Sequence, residues 1–125
     1  MGIALVAAAK TDMGEKLTKT MNDLAKLGLK NQLKSVADID WAQVRDSEGG
    51  WEQAYLWTTR KFDALILIET ASCGLGKGQA SMAQGFLRAS KPVGVVRNGK
   101  ILQVSRVVPW NNRDWANEFA RVEVL

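Results

Sequence analysis

Asp63-Ala64-Leu65-Ile66-Leu67-Ile68-Glu69, followed after a short interval by Gly74-Leu75-Gly76-Lys77-Gly78-Gln79, is the stretch that decides the fold. Five successive apolar residues without alternation predict a strand buried on both faces, as in a parallel sheet covered by helices. The glycines between Glu69 and Gly78 predict a loop. Gln79–Ser90 then carries Ala80, Ala83, Phe86 and Leu87 on one helical face. Lys91-Pro92 stops that helix, and Val93–Arg97 reads as the next strand. Strand, loop, helix and strand in this order make a βαβ unit.

The same alternation extends toward the N-terminus. Ile3–Ala9 is a second unbroken apolar run, and Asp12 with Glu15 three residues on has the capping-box spacing. Met13, Leu17, Met21, Leu24 and Leu27 recur at helical intervals, with Gly28 where a C-terminal glycine belongs. In Leu29–Arg45, Leu33 and Val36 fit a polar edge strand, and Ile39, Trp41 and Val44 fit either a loop or a short helix. Asp46-Ser47-Glu48-Gly49-Gly50 is a break, after which Trp51, Ala54, Tyr55, Thr58 and Phe62 share a helical face. Toward the C-terminus, Asn98-Gly99 between two apolar runs is a two-residue hairpin signal. The second of those strands should run to about Val108. A short helix over Asp114–Phe119 and a last strand over Arg121–Val124 complete the reading.

These elements predict one α/β domain over residues 1–125: a small three-layer sandwich of the Rossmann-like or flavodoxin-like kind. Its parallel sheet would carry an antiparallel C-terminal hairpin. Ligands of such sheets bind beyond the carboxyl ends of the strands, near the point where strand order reverses. Two loops are expected there, Lys10–Gly14 after the first strand and Glu69–Gly78 after the third.

Composition narrows the chemistry. The 125 residues include no histidine and one cysteine, Cys73. That excludes imidazole bases, His-paired nucleophiles and an internal disulfide, and no metal or cofactor site is expected. A net charge of +4, from 17 basic and 13 acidic residues, suits an anionic ligand. The apolar runs are too short to span a bilayer and the start has no basic stretch, so a soluble cytoplasmic protein is expected.

Gly74-Leu75-Gly76-Lys77-Gly78 leads from a buried strand into a helix. Its glycines permit positive φ, so successive N–H groups could turn inward as an anion nest. The helix N-terminus and Lys77 would add positive charge. The loop lacks the Ser/Thr that follows the lysine of a Walker A motif, and it lacks G-x-G-x-x-G spacing. Glu69, at the end of the buried strand, is the candidate acid or base, because burial there would disfavour its charged form. Trp41, Trp51 and Trp57 are candidates to stack a nucleobase.

Asp63–Ile68, the glycine loop, Gly78-Gln79-Ala80-Ser81-Met82 and Ser90-Lys91-Pro92-Val93 together resemble the nucleoside 2-deoxyribosyltransferase-like group. That group has an "aDavial" strand, a G-T-x-x-E helix start and a "gKPV" segment leading into the next strand. The resemblance covers about 30 residues, a quarter of the chain. It implies a site for a nucleoside or nucleotide, whose N-glycosidic bond the family cleaves with a glutamate nucleophile. In this chain the position of that glutamate falls on Met82, and Gln79 stands at the family threonine. A thioether cannot attack an anomeric carbon or stabilise positive charge there.

The resulting expectation is a nucleotide- or nucleoside-binding protein with doubtful catalysis. Its ligand residues would be Lys10, Thr11, Asp12, Gly74, Gly76, Lys77, Gly78, Gln79 and Met82. An active N-glycosidase or transferase working through the displaced carboxylate of Glu69 is the alternative. A third reading is a basic nucleic-acid or protein interaction module, although its basic residues are interspersed with acids and no nucleic-acid motif is present. Pro109-Trp110-Asn111-Asn112-Arg113 is a candidate contact for a homodimer.

Overall fold

The structure is a computed structural model that describes residues 2–8, 14–29, 32–69, 74–109 and 120–125. Six strands form one sheet: β1 (Ala4–Ala8), β2 (Leu33–Ser35), β3 (Ala64–Ile68), β4 (Val93–Arg97), β5 (Lys100–Pro109) and β6 (Ala120–Val124). Their order is β2-β1-β3-β4-β5-β6. The first four are parallel, and β5 and β6 extend the sheet in antiparallel fashion. Four helices connect them: α1 (Glu15–Leu24), α2 (Trp41–Glu48), α3 (Trp51–Lys61) and α4 (Lys77–Arg88). The chain is therefore the mixed α/β, three-layer architecture expected from the sequence. Helices α3 and α4 pack side by side, and the right-handed rule for βαβ crossovers assigns α1 to the opposite face of the sheet.

The two unbroken apolar runs pair with each other at the centre. Ala4 to Ala8 stand opposite Ala64 to Ile68 in register. Leu5, Val6, Ala7, Leu65 and Leu67 have no exposed surface. Burial on both faces is why neither run alternates, and each large side chain contributes about 1.5–3 kcal/mol. Met82, Ala83 and Phe86 of α4 close the core over β3 and β4. The Asn98-Gly99 hairpin forms as expected, with φ of 52° and 74°, both in the left-handed region that this turn requires.

Several boundaries differ from the sequence reading. Gly14, not Asp12, stands at the N-cap of α1 and makes no side-chain cap bond there. A wide turn over Ala25–Leu29 follows α1, with Gly28 at φ 82° closing it. The ambiguous stretch resolves into the short edge strand β2, a single tight turn at Val36–Asp38, and α2. Asp40 caps α2 by accepting the Gln43 N–H at 3.2 Å. Helix α4 starts two residues earlier than expected, at Lys77, and stops at Arg88. The helix expected over Asp114–Phe119 lies outside the described residues.

Lys91 gives a physical reason for one residue of the "KPV" segment. Its ammonium donates to the carbonyls of Thr59 and Phe62, the latter at 3.0 Å. These carbonyls end α3, where a cation complements the helix dipole and satisfies acceptors that the helix leaves open. Lys91→Met keeps the stem and removes the charge. It should destabilise the protein by about 1 kcal/mol in urea unfolding, with ligand binding unaffected.

Candidate functional site

In strand order the chain steps from β1 to β2 on one side and to β3 on the other, so the reversal lies between β1 and β3. The residues at their carboxyl ends are the ones to inspect. Gln79, in the first turn of α4, is 2% exposed and points its amide at this junction. Its Nε2 donates to the carbonyl of Ala7 in β1 at 2.9 Å and to that of Ile68 in β3 at 2.7 Å. Its Oε1 accepts the N–H of Gly76 at 2.9 Å. One side chain thus joins two strand ends and the glycine loop.

This arrangement corrects the anion nest. Gly76 has φ −70° and ψ 166°, an extended conformation open to any residue, and Gly78 lies within α4. The Leu75 N–H donates to the Ala120 carbonyl at 2.9 Å, and the Gly76 N–H is held by Gln79. Neither amide faces a ligand. Gly78 has a different reason to be glycine: a Cβ there would stand 3.1 Å from Cε1 and Oη of Tyr55. Gly74 is buried. Gln79 is committed to the fold and cannot also contact a base or ribose. Met82, 4% exposed, belongs to the core. Of the glycine-loop candidates, Lys77 alone is exposed. Lys10, Thr11 and Asp12 lie outside the described residues, as do Cys73 and Trp110.

Glu69 is where sequence and structure meet most closely. It sits just past β3 and is 6% exposed, as expected of a carboxylate at the mouth of the crevice. Arg97, at the end of the adjacent β4, grips both oxygens: Nε to Oε1 at 2.7 Å and Nη2 to Oε2 at 2.9 Å. The Lys16 ammonium, from the first turn of α1, donates to the Glu69 backbone carbonyl. A two-pronged guanidinium contact occupies both carboxylate oxygens. Glu69 is thus held twice, its carboxylate by Arg97 and its backbone carbonyl by Lys16. Arg97 and Lys16 were not singled out in the sequence. Their signal was only positional, a basic residue at a strand end and another in a helix's first turn.

A second cluster borders α4. Helix α3 runs into β3 through two residues, so its C-terminus lies at the amino end of the sheet and its first turn at the carboxyl end. Trp51, in that first turn, stacks on Tyr55 with ring centres 6.2 Å apart. Trp41 meets Tyr55 edge-on at 6.0 Å, and its indole N–H donates to the Val36 carbonyl. The Arg45 guanidinium lies 5.3 Å over the Trp51 ring. Burial pushes the Tyr55 hydroxyl above its ordinary pKa, so it remains a neutral phenol at physiological pH. Trp57 packs at right angles to Phe62 near the other end of α3 and belongs to the core. Of these three tryptophans, only Trp51 has nearly half its surface exposed, at 46%.

Among the described residues no cluster of three or more metal-ligating side chains occurs, and no helix is long and apolar enough to cross a membrane. No protein-family profile, curated protein or solved structure matches the chain. The Gln79 tie makes a direct prediction. Gln79→Leu keeps the volume but leaves two buried carbonyls and one N–H without partners. It should lower unfolding stability by about 2–4 kcal/mol, read as a fall in the urea midpoint.

Proposed function

We propose that this protein binds a nucleotide or a related phosphorylated nucleoside at the carboxyl edge of its parallel strands, without the glycosidic chemistry of a glutamate nucleophile. The observation that carries the reading is the gathering of basic side chains at the end of β3. There Arg97 grips the Glu69 carboxylate and the Lys16 ammonium reaches the Glu69 backbone carbonyl. Lys77 stands exposed at the start of α4, the helix that follows. Basic side chains beside a strand-order reversal attract an anionic group where α/β sheets ordinarily take their ligands. The residue aligned with the family glutamate, Met82, is an apolar core side chain, so binding rather than bond cleavage is the natural use of the edge.

The test is a thermal-shift titration with AMP, ADP, ATP and ribose 5-phosphate. A ligand near a hundredfold excess over its Kd should stabilise the protein by about 2.7 kcal/mol and raise Tm by several degrees. Lys77→Glu and Lys16→Glu should abolish the shift while leaving the Tm of the free protein within about 2 °C. The absence of a shift across the whole panel would overturn the proposal.

A further inference from the structure

The stacked pair Trp51 and Tyr55, with Arg45 above, lies in a part of the molecule to which the charge cluster at β3 assigns no role. Its rings are held from three sides. Trp41 packs edge-on against Tyr55, Gly78 of α4 allows the Tyr55 ring to approach the backbone, and Arg45 covers Trp51. The hairpin that presents it is rigidly defined. Gly49 and Gly50, at φ 92° and 133°, make a turn between α2 and α3 that other residues adopt only with strain. Arg60 of α3 pairs with Glu48 of α2 across that turn. A large aromatic side chain left 46% exposed on such a scaffold is not needed to fill the core.

Resting on the nucleotide reading above, we infer that Trp51 and Arg45 form the subsite for the ligand's planar base. The base stacks on the indole beneath a displaced guanidinium, and the phosphate lies toward the first turn of α4. Three features support this chemistry. A heteroaromatic ring offers a π face to both an indole and a guanidinium, the two groups already stacked here. Arg45 is free to swing at small cost, because its partner is the neighbouring Asp46 at 3.0 Å in an exposed pair. Finally, the contact of Gly78 with Tyr55 joins this cluster to the start of α4, which carries Lys77, so one small molecule can span both.

The experiment compares AMP with ribose 5-phosphate by calorimetric titration of the full chain and of Trp51→Ala, Trp51→Phe and Arg45→Ala. AMP should bind wild-type protein about tenfold more tightly than ribose 5-phosphate does, the contribution of one stacked base. Trp51→Ala should erase that preference and leave ribose 5-phosphate affinity unchanged, whereas Trp51→Phe should restore most of it. Arg45→Ala should reduce the preference by severalfold. Equal affinity for the two ligands in wild-type protein, or an unchanged AMP preference in Trp51→Ala, would overturn the base subsite while leaving anion binding intact. Failure of both ligands to bind would overturn the subsite and the nucleotide reading together.

Discussion

A single buried amide fixes the geometry of the carboxyl edge. Gln79 donates to Ala7 and Ile68, near the carboxyl ends of the two central strands, and accepts from Gly76 in the loop that follows β3. Buried carbonyls at the carboxyl ends of parallel strands need hydrogen-bond partners. In a core this dry each would cost about 1–3 kcal/mol if left unmet. Gln79 meets two of them from one side chain, and because it stands in the first turn of α4 it also sets where that helix begins. The loop's route and the position of Lys77 at its end follow from this tie.

The tie has a functional consequence. A glycine loop before a helix can bind anions through its own amides only if those amides are free. Here Leu75 and Gly76 spend theirs on Ala120 and Gln79. Under the proposal above, recognition at this edge would rest on side chains: Lys16, Lys77 and Arg97 for charge, and Trp51 with Arg45 for a ring. Glu69 is part of the same logic. Its burial would be costly without Arg97, and the pair is better understood as a charge-balanced platform than as a proton donor.

Much of the fold was legible because hydrophobic pattern and burial agree. The runs Ala4–Ala8 and Ala64–Ile68 lack alternation since both faces of β1 and β3 are covered, and Asn98-Gly99 marks its turn by backbone preference alone. Local signals failed where a neighbour in space took over. The capping spacing at Asp12 competed with a helix that begins after Gly14. Leu33–Ser35 is too short to show any period, and α2 has no buried residue to announce itself. At the site, Glu69 was found from its place at a strand end, while its partner Arg97 lies 28 residues away in sequence and is visible only once β3 and β4 are paired. Gln79 was read as a contact for a base or ribose, whereas its amide is bonded within the fold. Its partner 72 positions upstream, Ala7, could not be read from the chain.

The central claim, that the glycine-loop amides belong to the fold, is tested most directly by native-state hydrogen exchange at Leu75 and Gly76. Bonded as they are, both should exchange slowly, approaching the protection of the β3 amides. Exchange of Leu75 and Gly76 as fast as that of freely exposed loop amides would contradict it.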